Sequence, residues 1–307
     1  MTTYAALFAA ALFLVPVSAT ADAVAPVRKI LADADRAPRD RAVQEKALAD
    51  LDALITTDPK APVAHLARGM MLSRLGRAAD ALAAYDTASG LDPKLADAWY
   101  NAGTILGGMG RDAEALTHFE AALKADPKHI DAAYNAGQAY YNRKDFAHAL
   151  ERFRTALDLA PDDFDIAKKV MQCDFALGKD ADAARDRQRV VALWTASKDP
   201  GVKRQRDVVF DQFDLAGAHI MAAENLQPEG DLYSLYVFRV LDAKGKPIGT
   251  VQLESTAYGR ETGMPYLLGW TRGGLHGTAG PGYAAAPTYR ELRPRAEELI
   301  RQKLLTP

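Results

Sequence analysis

DPKLADAWYNAGTILGGMGRDAEALTHFEAALKADPK, the stretch from Asp92 to Lys128, runs from one Asp-Pro-Lys triplet to the next and holds one full period of a repeating unit. The same triplet stands 34 residues earlier at Asp58-Pro59-Lys60, and Pro161 continues the series one period beyond Pro127. The residues between the prolines recur in phase, so the period belongs to a structural unit rather than to an isolated turn. Internal repeats of 20–50 residues build solenoids. Within each unit a break falls near the middle, at Gly76 or Gly110, and a second at the Asp-Pro pair, where proline cannot continue a helix. Each unit therefore reads as two helices.

Laid in register, the units read His65-x-x-Arg68-Gly69-x-x-Leu72, Ala81-x-x-x-Tyr85, Pro93; then Trp99-x-x-Ala102-Gly103-x-x-Leu106, Ala115-x-x-x-Phe119, Pro127; then Ala133-x-x-Ala136-Gly137-x-x-Tyr140, Ala149-x-x-x-Phe153, Pro161. These residues resemble the tetratricopeptide repeat (TPR) family, over residues 28–196. The physics agrees with the resemblance. Small residues recur where the two helices of a unit must touch, and a glycine that costs about 1 kcal/mol inside a helix recurs at one phase, which points to a packing need. An unrelated array of helical hairpins would have nearly the same shape.

The full repeats span 62–95, 96–129 and 130–163. Residues 164–196 fit a capping unit in which Met171 and Arg187 replace the expected glycine and aromatic and no proline closes the unit. Residues 27–61 read as a degenerate leading repeat: the second helix is in phase through Ala47, Leu51 and Leu54, but Asp33 to Asp40 is too polar to complete the first. Arg68 and Lys144 are local misfits, expected to be solvated or to snorkel.

Residues 1–21 carry no charged side chain, run apolar from Tyr4 through Val15, break at Pro16 and end in Ala19-Thr20-Ala21 before Asp22. That is the outline of a secretory signal peptide cleaved after Ala21, and it directs the chain to the periplasm or out of the cell. An uncleaved membrane anchor is the alternative, since about 20 apolar residues span a bilayer. No later stretch is apolar enough to cross a membrane, so the mature chain has no expected span. The single cysteine, Cys173, falls inside the capping repeat and reads as a buried structural thiol. With 38 basic and 40 acidic side chains in 307 residues, the net charge of −2 argues against a nucleic-acid surface. No cofactor motif occurs.

Residues 197–204, with Pro200-Gly201, form a linker where helical periodicity gives way to β-branched and aromatic residues. Residues 205–307 read as a small antiparallel β domain with a terminal helix. Its strands are expected at 208–215, 218–226, 232–241, 248–256 and 265–271, with a hairpin loop at 242–247. Pro294 suits the first turn of the helix. The glycine-rich segment 269–282 lacks the Lys-Ser/Thr of a phosphate loop and reads as a flexible loop. The fold class is α+β, a right-handed superhelix of helix pairs followed by a sheet domain.

Two functions are compatible with this organisation. His219 and His276, with Glu224, Glu254, Glu261, Ser234 and Ser255, are the sheet domain's candidates for acid–base or nucleophilic work, but no local signature brings them together. An envelope enzyme with its site in the sheet domain, its repeats recruiting substrate, is therefore the alternative. The repeats give the stronger reading. The first helix of each pair lines the concave side of a solenoid, so Leu66, Tyr100, Tyr134 and Lys168 form one row and Met70, Thr104, Gln138 and Gln172 a second. Asn101 and Asn135 belong to a third, and the TPR resemblance implies that asparagine here contacts a bound peptide's backbone or terminal carboxylate. An amide offers donors and an acceptor to an extended main chain, and tyrosine adds stiff apolar area. Asp97, Asp131 and Asp165 share a further row, and no lysine or arginine lies at the groove's centre. The expected partner is a protein or peptide segment of mixed polarity, bound without catalysis by a scaffold of the bacterial cell envelope.

Overall fold

The computed structural model describes residues 21–205, 207–225, 233–255, 266–284, 287 and 289–306. The signal-peptide reading of residues 1–21 lies, but for Ala21, outside them. The chain divides into two compact units, residues 1–144 and 145–307. Helix pairs come first, then an antiparallel sheet and a C-terminal helix.

The leading unit holds α1 (Ala21–Asp35), α2 (Arg41–Thr57), α3 (Pro62–Arg74), α4 (Ala78–Leu91), α5 (Ala96–Gly108), α6 (Asp112–Ala125) and α7 (Ile130–Asn142). The Asp-Pro-Lys triplets do two jobs in each turn. The aspartate N–H donates to the carbonyl four residues back and closes the helix, at 2.9 Å for Asp58, 2.9 Å for Asp92 and 2.8 Å for Asp126. Its carboxylate then accepts the lysine N–H two residues on, at 3.2, 3.0 and 2.9 Å. That is an Asx turn, in which a side chain satisfies a backbone donor of the turn that follows the helix. The repeat's His65 and Trp99 complete the turn by donating to the carbonyls of Pro59 and Pro93, at 2.9 and 3.1 Å.

Between the helices of a pair the backbone turns left-handed, at Gly76 (φ 76°), Gly110 (φ 75°) and, with a side chain, at Lys144 (φ 61°). The recurring helical glycine is a matter of space. A Cβ on Gly69 would sit 2.5 Å from the Tyr85 ring and one on Gly103 2.8 Å from the Phe119 ring, so the aromatic fits only against hydrogen. Arg68, one misfit of the pattern, is paired with Asp52 at 2.6 Å. The leading pair is more complete than its sequence promised. α1 is a full helix that buries Val27, Leu31 and Ala34 at spacings of four and three, while Arg28, Lys29, Asp33 and Asp35 face out.

The second unit holds α8 (Phe146–Leu159), α9 (Phe164–Leu177), α10 (Asp180–Ala196), the short α11 (Pro200–Lys203), and six strands: β1 (Asp207–Leu215), β2 (Ala218–Asn225), β3 (Tyr233–Leu241), β4 (Pro247–Ser255), β5 (Tyr266–Arg272) and β6 (Leu275–Tyr283). They form one antiparallel meander in the order β1-β2-β3-β4-β5-β6. The helix α12 (Tyr289–Leu299) and a π-helical turn (Ile300–Leu304) supply Leu292, Ala296, Ile300 and Leu304 to the apolar cluster of Ile220, Phe238, Val251 and Leu253.

The sixth strand corrects the reading of 269–282 as a loop. Gly273 (φ 54°) and Gly274 (φ 83°) make a two-residue turn with both φ positive, the hairpin geometry that matches strand twist, and Arg272 pairs with Leu275 across it. Gly277 in β6 makes room for a neighbour: Trp270 lies opposite it, and a Cβ there would stand 3.0 Å from the indole. The loop at 242–247 forms as expected, with Asp242 accepting the Lys244 and Lys246 N–H groups at 2.8 Å each and Gly245 at φ 76°. The terminal helix begins at Tyr289, so Pro294 lies inside it rather than in its first turn. Tyr289 is anchored from α12 to β1: its hydroxyl donates to Asp211, which also accepts from Arg293 at 2.8 Å. That anchor and the burial of Leu292 extend the helix ahead of the proline, which itself stays exposed. Residues 197–204 contain α11 and do not divide the units.

Candidate functional site

In the leading unit the predicted rows converge where α5 and α7 run side by side. Asn135 Nδ2 approaches the Tyr100 hydroxyl at 3.5 Å, so the two rows are neighbours across successive repeats. The Tyr100 ring is packed against the His129 ring, centroids 4.7 Å apart, and against Phe119 at 6.0 Å. His129 is the N-cap of α7. The Ala132 N–H donates to its Nδ1 at 3.2 Å, leaving the ring proton on Nε2, which faces Asp97 Oδ1 at 3.5 Å. Thr104 hydroxyl donates to the Tyr100 carbonyl at 3.1 Å, and the Gln138 amide donates to Asn142 at 2.7 Å. Tyr100, Asn101, Thr104, Tyr134, Asn135 and Gln138 are all half-buried. The face is thus rigid tyrosine framed by amides and hydroxyls.

Leu66 and Met70 are corrected. Each is only 4% exposed and belongs to the apolar cluster that also holds Val27 and Leu31 of α1. They are core, because α1 exists as a full helix and packs on α3. Lys168 lies in the second unit, and its ammonium is engaged there by Asp165 at 2.6 Å and by Gln205.

That engagement shows how the repeat's first-helix face behaves when it is occupied. On α9, Lys168 stands in register with Tyr100 and Tyr134, and Gln172 with Thr104 and Gln138. Gln172 donates its side-chain amide to the main-chain carbonyl of Val209 in β1, and one turn further Phe175 stacks on Phe210 of the same strand, with centroids 4.2 Å apart. An extended strand therefore lies against α9, held by a side-chain amide on its backbone and an aromatic beside it. Sequence reasoning placed Gln172 in the row but could not show what it met.

Elsewhere on α9, Cys173 is fully buried and its thiol is pushed up to about 12 by burial. Asp174 is fully buried as well. Burial and a hydrogen bond shared with Asp186 raise its carboxyl to about 6, against the opposing pull of Arg154 at 3.1 Å.

The sheet's two histidines stand apart, on β2 and β6. His219 bonds Asp214 at 3.0 Å on the surface of the β1–β2 hairpin, and His276 is exposed on β6 opposite Thr271. Glu261 lies outside the described residues, and so do the side chains of Glu224, Glu254, Ser234 and Ser255. Among the described residues no group of His, Cys, Asp and Glu could hold a metal ion, and no helix is long and apolar enough to cross a membrane.

Comparison with known proteins bears on the helical part. The tetratricopeptide repeat profile matches residues 45–96 and 100–164. No curated protein matches the chain. Similar solved structures include MamA from Desulfovibrio magneticus RS-1, 23% identical over 57% of this chain and 98% of that one with a TM-score of 0.47. PilF of Pseudomonas aeruginosa is 19% identical over 59% and 79%, with a TM-score of 0.48. YrrB, described as a TPR protein with an unusual peptide-binding site, is 16% identical over 58% and 97%, with a TM-score of 0.44. With the 34-residue period, the Asx turns and the glycine–aromatic contacts, the profile match identifies residues 45–96 and 100–164 as tetratricopeptide repeats.

Proposed function

We propose that this chain is a non-catalytic scaffold of the bacterial cell envelope that holds an extended peptide segment of a partner protein in the concave groove along α5 and α7. The observation that carries the reading is on α9, where the same register positions hold an extended strand of the chain itself through the Gln172 amide and the Val209 carbonyl. Asn101, Thr104, Asn135 and Gln138 present equivalent polar groups on α5 and α7, and Tyr100 and Tyr134 the apolar area beside them. The envelope location rests on the apolar, uncharged stretch of residues 1–21. The absence of a catalytic role rests on the dispersal of the sheet's histidines over its surface.

A random peptide library displayed on phage and selected on the full chain tests the groove. Individual binders are expected to lose at least 10-fold in affinity for an Asn101→Ala/Asn135→Ala variant of unchanged melting temperature. Equal affinity for the native and double-variant chains would place the binding surface elsewhere.

A further inference from the structure

The helices α5 and α7 are charged in one sense only. α5 carries a single charged side chain, Asp97, and α7 a single one, Asp131. Both occupy the register position of Asp165 on α9. There Lys168, one turn on, meets the carboxylate at 2.6 Å while its ammonium lies 5.1 Å from the centroid of the Phe164 ring. On α5 and α7 tyrosine takes the lysine's place, at Tyr100 and Tyr134. Asp131 is exposed and has no ion-pair partner among the described residues. Asp97 faces His129 Nε2 at 3.5 Å, on the ring whose Nδ1 accepts the N–H that caps α7. His129 Nε2 is itself shielded and without a hydrogen-bond partner, on a side chain 12% exposed.

The second unit thus shows the carboxylate of this row satisfied by a lysine beside an aromatic ring, and the leading unit presents the carboxylate and the ring without the lysine. We infer that the groove selects extended segments bearing lysine or arginine side chains, with a basic group of the partner meeting Asp97 or Asp131 as Lys168 meets Asp165. The tyrosines then supply the aromatic face that Phe164 supplies on α9. The inference rests on the peptide-binding reading above and gives it a charge: a basic segment, and not a peptide's terminal carboxylate.

The same phage selection separates the two. Binders are expected to be enriched in lysine and arginine, to weaken as salt is raised, and to lose about 10-fold in affinity for Asp97→Asn/Asp131→Asn. Asp131→Lys, a change at an exposed position, is expected to weaken them at unchanged melting temperature. Neutral or acidic binders that are lost in Asn101→Ala/Asn135→Ala but kept in both aspartate variants would overturn the charge inference and leave the groove standing. Failure to select any binder, or binders indifferent to every variant, would overturn both.

Discussion

The first-helix faces of α5 and α7 and that of α9 descend from one pattern, yet one is turned outward and the other inward. On α9 the row reads Lys168, Gln172, Phe175: the lysine is held by Asp165 and Gln205, and β1 is met by an amide on a carbonyl and a stacked ring. On α5 and α7 it reads tyrosine, then threonine or glutamine, and stays half-buried. The difference teaches that a repeat's recognition face needs no separate invention to become an internal joint. Exchanging the central tyrosine for lysine, with an aromatic kept at the position where α7 carries Tyr141, suits it to a strand of its own chain.

The largest test of that contrast is Phe210→Ala. It removes the ring on which Phe175 stacks and which Tyr289 meets edge-on at 4.8 Å. It should cost the second unit about 3–5 kcal/mol in urea unfolding, because the site is ringed by aromatics that cannot collapse into the gap. A loss below ~1 kcal/mol would mean that the α9 face is not a joint.

A smaller effect distinguishes α9 from α5 by pH. Asp174 stands in register with Leu106, a core leucine, and its buried carboxyl titrates at about 6 against an ordinary value of 3.8. Its folded pKa is the raised one, so between those values the folded state keeps a proton that the unfolded state has lost. Stability of the second unit is therefore greatest at the acid end of this window and falls as pH rises from about 4 to about 6. Asp174→Asn should abolish the slope in melts followed across that window, and a slope that survives the change would assign it to other groups.

The smallest test is Gln172→Ala, which leaves the Val209 carbonyl without its donor. A loss of about 1 kcal/mol is expected. Because Thr104 and Gln138 share its register, no loss at all would weaken the case that side-chain amides in this row hold main chain.

The helical part was legible because its signals are local and repeated. The triplets close each helix within three residues, and Gly69 and Gly103 each face an aromatic at a fixed offset. The misreadings came from contacts that no local pattern carries. Asp33 to Asp40 reads as too polar to complete the first helix, and α1 does end at Asp35, but Val27, Leu31 and Ala34 suffice as a buried stripe on what comes before. Once α1 is formed, Leu66 and Met70 become core. β6 was hidden by composition: its glycines read as slack, while Trp270 needs the space that Gly277 leaves. The Gly273-Gly274 pair was the available signal for that hairpin. What lies against the α9 face depends on a strand 37 residues further along the chain, and periodicity says nothing at that range.

The Asx turn at each Asp-Pro-Lys triplet has an evolutionary consequence. Its bonds run from the residue four before the aspartate to the His65 or Trp99 ring that caps the prolyl carbonyl, so the junction asks of the next repeat only a donor ring at that position. A 34-residue duplication inserted after Lys94 would find a finished joint at both ends. It would also lengthen the groove by one whole row, bringing a further aspartate and a further tyrosine–asparagine pair with it. A chain built this way adjusts the length of what it holds by counting units, without redesigning any of them.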